Sequence, residues 1–300
     1  MKFTVASLLT LVASVSAAPA LQSRAAGKIW DGRIPESTTL AEFDSYSTSR
    51  YGAEYVLGQG QKWSTVLQFP NVAGSLFDKQ VSAKPLEVTI TDQSIFAPGG
   101  DVQSGFRRSE LMPITNNGEA GDNFAKGVTT VHFSVQADTA KPLNYSHEYQ
   151  IVFIESADYT HQIFTLKTGT NHGSSLSTSS RTLRLSTSTA NGASAQTLHT
   201  VPFGVAGSEG WHNYAITNDW NKNTITVYYS RGDAPLTRVV SSRYNNNAGK
   251  GVFHIGILKL PTGQSSNVVK QGYQPSGINE GLIYGGIFVE DSSDGTVTLQ

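Results

Sequence analysis

A two-residue alternation of apolar and polar side chains, recurring along most of the chain, constrains this sequence more than any other feature. Leu86, Val88 and Ile90 alternate with Glu87, Thr89 and Thr91, and Val131, Phe133 and Val135 with Thr130, His132 and Ser134. Ile225, Val227 and Tyr229 alternate with Thr224, Thr226 and Tyr228, and Phe253, Ile255 and Ile257 with His254, Gly256 and Leu258. Successive strand side chains point to opposite faces, so each run predicts a strand with one apolar face inward and one polar face out. Tyr149–Ile154 and Leu282–Val289 carry apolar residues on both faces, as central strands between layers do. Helical spacing never extends the apolar stripe beyond about three turns. Ala41–Tyr46 is one short helix candidate, with Ser37-Thr38-Thr39 to cap it.

Turn signals separate the runs: Pro98-Gly99-Gly100, Asn116-Asn117-Gly118, Asn191-Gly192, Arg231-Gly232-Asp233 and the stretch from Asn245 to Gly249. The reading is an all-β fold, a β-jelly roll built as a concanavalin A-like sandwich of two sheets with an open cleft. Polar residues on the concave face would then carry function. Those on the convex face would only be solvated. Gly169–Ala195, rich in Ser, Thr, Asn and Gly, reads as a long surface loop flanking one strand at Leu183-Arg184-Leu185.

Met1-Lys2-Phe3, an apolar run from Val5 to Val15 and the small-residue site Val15-Ser16-Ala17 form a secretory signal. We expect a signal peptide over 1–17, a loose leader over 18–27 and a single catalytic domain over 28–300, secreted and extracellular. Removing Lys2 leaves 21 basic and 23 acidic residues, a net charge of −2, which gives no bulk attraction to nucleic acid. No later run reaches the ~20 apolar residues of a membrane helix, so no membrane partner is expected. Cysteine is absent, which excludes disulfides, thiolate metal sites and a cysteine nucleophile.

Phosphate-loop, GxGxxG, GxSxG and HExxH patterns are all missing. A structural calcium ion held by loop oxygens is compatible with the sequence. Two carboxylates remain that sit inside strand-like segments, Glu110 in Gly105–Leu111 and Glu148 in Ser146–Phe153. Period two places Arg108 beside Glu110 and Gln150 beside Glu148. The bland reading is a structural Arg108–Glu110 pair and a rim carboxylate. The functional reading is a pair of carboxyls flanking a glycosidic bond. His254, on the polar side of its strand, is a third candidate, placed to orient a carboxylate or bind a sugar hydroxyl. His212 is weaker. Trp30, Trp63, Trp211 and Trp220 can stack on sugars, although tryptophans in strands more often build the core.

Several ordered segments carry a more specific signal: Trp30–Arg33, Lys84–Phe96, Gln103–Leu111, Pro142–Tyr149, Val227–Ser230 and His254–Thr262. Together they resemble glycoside hydrolase family 131, secreted fungal β-glucanases, over roughly residues 28–290. The resemblance implies a jelly-roll enzyme with an open cleft and no organic cofactor, acting on β-1,3-, β-1,6- and β-1,4-glucans with inversion; a monomer is expected. It implies Glu110 and Glu148 as the catalytic carboxylates, with His254 as the cleft histidine. Glu148 is expected as acid and Glu110 as base, because Arg107 or Arg108 would keep Glu110 ionised. Arg108 and Gln150 are the expected substrate-binding residues. Thr170–Ala195 matches no motif of the family. Asn144-Tyr145-Ser146 is an N-glycosylation sequon four residues before Glu148, so its glycan must project off the strand end.

Two alternatives share the fold. Arg108-Ser109-Glu110-Leu111 also resembles a strand of jelly-roll alginate lyases, in which Arg108 and Gln150 would neutralise a uronate carboxylate. A non-catalytic glucan-binding lectin is the other.

Overall fold

The structure, a computed structural model, describes residues 27–300 apart from 54, 117–118 and 121–123. The expected signal peptide and nearly all of the leader lie outside the described residues. In chain order the strands are β1 (Lys28–Asp31), β2 (Ile34–Pro35), β3 (Leu67–Gln68), β4 (Ala83–Lys84), β5 (Leu86–Thr91), β6 (Arg107–Leu111), β7 (Ile114–Asn116), β8 (Glu119–Ala120) and β9 (Val128–Ala137). They continue with β10 (Glu148–Ser156), β11 (Gln162–Gly169), β12 (Thr182–Ser186), β13 (Thr197–Pro202), β14 (His212–Asp219), β15 (Thr224–Arg231), β16 (Thr237–Tyr244), β17 (Gly251–Lys259) and β18 (Asn279–Asp291). The short helix is a 3-10 turn over Leu40–Asp44, and the Glu42 carboxylate accepts the Thr39 amide at 2.8 Å.

The strands form two main antiparallel sheets. One has eight strands in the order β16-β15-β14-β9-β18-β5-β3, with β1 also pairing β18. The other has six in the order β13-β12-β11-β10-β17-β6. Their facing sides close over one core of alternating side chains, among them Val88, Ile90, Phe133 and Val135 from the first sheet and Ile151, Leu166, Ile255 and Ile257 from the second. This is the expected jelly-roll sandwich, and Leu183-Arg184-Leu185 is the expected strand inside the Ser/Thr-rich stretch.

Polar struts cross that core. Lys259 on β17 is fully buried and meets Glu280 on β18 at 2.6 Å, while Tyr149 on β10 donates to the other Glu280 oxygen at 2.8 Å. The Tyr284 hydroxyl on β18 donates to the Gly256 carbonyl at 2.6 Å. A buried charge needs a partner, and these contacts supply one while fixing β10 and β17 against the opposite sheet.

The alternation predicts solvated polar faces, and here the fold departs from it. Glu87, Thr89, Thr130, His132 and Ser134 are all buried. The outer face of the eight-stranded sheet is roofed by Leu76, Phe77 and Leu236, which pack on Ala215 and Phe288. The C-terminal stretch adds to the roof, with Thr298 bonded to Glu290 and the Leu299 carbonyl to the Leu236 amide. Trp30, Trp63 and Trp211 are buried and Trp220 packs partly against the core, so all four serve structure.

Candidate active site

The outer face of the six-stranded sheet brings the sequence-predicted residues together. Directly opposed residues of an antiparallel pair share a face. Arg108 and Glu110 on β6 stand opposite Leu258 and Gly256 on β17, and Gln150 on β10 stands opposite both Leu258 and Lys167 on β11. Phe153 on β10 opposes His254 on β17. Gly256 lets β6 approach. A Cβ at that position would fall 2.1 Å from the Ser109 carbonyl oxygen and 2.8 Å from Glu110 Cα.

Glu110 is fully buried. Arg108 Nε and Nη2 donate to its two oxygens at 2.6 and 2.9 Å, and His254 Nδ1 lies 2.8 Å from Oε2. Burial opposes ionisation of this carboxyl, but the Arg108 charge and the His254 hydrogen bond outweigh it and hold its pKa below the ordinary value. A carboxylate only accepts, so Nδ1 is the donor and His254 Nε2 is left as the free ring nitrogen. That nitrogen is buried and has no hydrogen-bond partner. Phe153 stacks on the imidazole at 4.5 Å and 10°, fixing its plane.

Nε2 faces Glu155 Oε2, 3.7 Å away. Glu155 is 24% exposed. Burial pushes its pKa up, the charges of His254 and Arg108 pull it down, Glu110 pushes it up again, and the net direction is upward. The sequence reading missed this residue. Counting by twos from Glu148 assigns 150, 152 and 154 to the polar face. A bulge between Gln150 and Val152 puts both Ile151 and Val152 into the core and switches the parity, so Phe153 and Glu155 join the face of Glu148 and Gln150.

Glu148 sits across β17 from Glu110, at the far end of the face. Lys167 Nζ and Gln150 Nε2 donate to its Oε1 at 3.1 and 3.3 Å, and the His172 amide donates to Oε2 at 2.9 Å. A cavity of about 150 Å³ opens beside it, lined by Ser146, Asn171, His172, Pro261 and Thr262. Gln150 continues the polar chain by accepting from Gln162 at 2.6 Å. Arg108, an expected substrate-binding residue, is 9% exposed and engaged with Glu110 and Gln103.

His212 is buried, with its nitrogens on Tyr229 and the Ser208 carbonyl. It belongs to the interior. Asn144 is exposed in the loop before β10, and its Oδ1 accepts from the Ser146 amide at 3.2 Å. Among the described residues no group of three or more His, Cys, Asp or Glu side chains could hold a metal ion.

A profile of the glycoside hydrolase 131 catalytic N-terminal domain matches residues 29–295. Among solved structures, the family 131 β-glucanase catalytic domain from Podospora anserina superposes with a TM-score of 0.68 at 22% identity, covering 91% of this chain and 98% of that one. The catalytic domain of the family 131 protein from Coprinopsis cinerea does so with a TM-score of 0.63 at 22% identity, covering 91% and 97%. At that identity the two likenesses speak for the fold. No curated protein matches the chain.

Proposed function

The chain belongs to glycoside hydrolase family 131, and from that membership we propose that it hydrolyses β-1,3-, β-1,6- and β-1,4-linked glucans, with inversion, along the outer face of its six-stranded sheet. The observation that carries the reading is the shared face. Glu110, His254, Gln150 and Glu148 reach it from three adjacent strands inside the matched domain. A polysaccharide needs such an extended, polar surface.

Hydrolysis with inversion needs a base that takes a proton from water and an acid that protonates the leaving oxygen. Glu110 is too enclosed to meet water itself. It acts through His254, whose Nδ1–H it accepts, so that Nε2 takes the proton of the attacking water. Glu148, beside the small cavity, is the second carboxyl of the set and the proton donor. Gln150 and Lys167 position it. A lyase would need Arg108 free to meet a uronate, and the buried guanidinium is committed to Glu110 instead. The source is expected to be fungal and the enzyme secreted. A glycan on Asn144 would stand at the entry to β10, a few residues from the cavity.

The test is a panel assay on laminarin, mixed-linkage β-glucan, soluble cellulose, glucuronan and alginate. It follows new reducing ends together with the ultraviolet absorbance of unsaturated products. Reducing ends on neutral glucans without absorbance are expected, with the inverted anomer seen first by NMR. Absorbance growing on an acidic polymer would overturn the reading in favour of the lyase. Binding to glucan with no cleavage would turn it toward a lectin.

A further inference from the structure

The 3.7 Å between His254 Nε2 and Glu155 Oε2 is too long for a direct hydrogen bond and short enough for both atoms to bind one water. Nε2 is an orphaned buried acceptor, which a protein interior rarely leaves unused. Elsewhere on the ring, Nδ1 is taken by Glu110 and one face by Phe153. We propose that Glu155 is a catalytic residue, holding the hydrolytic water jointly with His254 Nε2. The inference rests on the hydrolase reading above and adds to it a third carboxyl that touches the reacting atoms.

The step balances as an ordinary hydrolysis. The water oxygen bonds to the anomeric carbon while the glycosidic carbon–oxygen bond breaks. One water proton passes to Nε2, and the leaving oxygen takes a proton from Glu148. Glu155 accepts a hydrogen bond from the second water O–H, which stays with the product, so a lone pair points at the sugar, an orientation that His254 alone cannot enforce. The titratable and charged groups facing Glu155 are His254 on β17 and Arg108 and Glu110 on β6. Gln162, its partner on β11, is uncharged. Because burial raises its pKa, the accepting form of Glu155 is lost on acidification earlier than for an exposed glutamate.

The experiment compares the wild-type enzyme with E155Q, E155D and E155A on whichever glucan the wild type cleaves. E155Q is expected to lose about 10²-fold in kcat with KM nearly unchanged, and to shift the acid limb of its pH–rate profile. E155D should recover part of the rate. Sodium azide should restore turnover to E155A by taking the water's place, yielding a glycosyl azide of inverted configuration. A kcat for E155Q within threefold of wild type, or a loss confined to KM, would overturn the assignment while leaving the hydrolase reading intact. A wild-type enzyme silent on every glucan would sink both.

Discussion

Among the described residues are two buried histidine–glutamate pairs, one on the outer face of each sheet, and they are built alike. On the six-stranded sheet His254 Nδ1 lies 2.8 Å from Glu110, with Phe153 stacked at 4.5 Å. On the eight-stranded sheet His132 Nε2 lies 2.8 Å from Glu290, with Phe288 stacked at 4.1 Å. Each histidine has one ring nitrogen with no partner, Nε2 in the first and Nδ1 in the second. The surroundings differ. Glu290 accepts its remaining hydrogen bonds from the Thr298 amide and hydroxyl of the C-terminal stretch, and Phe77 packs edge-on against the His132 ring. His254 instead looks toward a third carboxyl that solvent reaches. A buried histidine–carboxylate pair is therefore not a site in itself. The partly exposed carboxyl beside the free nitrogen makes the difference.

The sharpest way to break this comparison is to neutralise both carboxylates. E110Q should lower kcat by about 10³-fold, because it removes the negative charge that holds His254 in one tautomer and stabilises the ring once it takes a proton. It should also lower stability, since the buried Arg108 loses its counter-ion, a change of about 3–5 kcal/mol when such a pair is broken. E290Q should destabilise as well, yet leave kcat within about twofold. Kinetics and thermal melts on the two variants decide it. An E290Q enzyme as inactive as E110Q would show that both pairs serve only the fold.

Glu148 sharpens the same contrast with the next largest effect. It is 5% exposed and its partners are all donors, which a glutamine oxygen still satisfies in part. E148Q should keep its melting temperature within a few degrees and lose about 10²-fold in kcat. A loss of fold with activity per folded molecule unchanged would make it a structural rim residue.

The sequence carried this contrast unevenly. Arg108 and Glu110 are two residues apart on one strand, so their shared face follows from period two alone. The His254–Glu110 contact spans 144 residues and the His132–Glu290 contact 158, and no local pattern predicts either. Alternation located β5, β9, β15 and β17 correctly. It could not tell a solvated polar face from a roofed one, because the roof comes from Leu76, Phe77 and the C-terminal residues, which are distant in sequence. Glu155 was hidden for a third reason. A single bulge after Gln150 reverses the count, and nothing in Ile151-Val152 announces it.

The roofed pair makes a pH prediction. Burial depresses the His132 pKa below its ordinary 6.5, against the opposing pull of Glu290. A histidine with a depressed folded pKa contributes stability that is present above the unfolded value and lost as pH falls through the folded one. Melting temperature should therefore decline on acidification below about 6.5, with a slope from this one group of at most about 1.4 kcal/mol per pH unit. The double variant H132F/E290L, which removes both partners, should flatten that decline and retain activity. An unchanged slope would assign the acid sensitivity elsewhere.

The smallest effect separates function from stability at Glu155. Its folded pKa lies above the ordinary 4.5, so the fold favours the protonated form. The contribution is fully present below the unfolded value and is lost as pH rises through the folded pKa, leaving a strained carboxylate near neutrality. Glutamine cannot ionise and escapes that loss. E155Q should thus melt roughly 2 °C above wild type at pH 7 and level with it at pH 4. A variant that is slower and yet more stable fits a carboxyl retained for the water it orients, since a group kept for packing would be missed by the fold. If E155Q instead melted lower at both pH values, Glu155 would be one more structural carboxylate, and the free nitrogen of His254 would resemble that of His132.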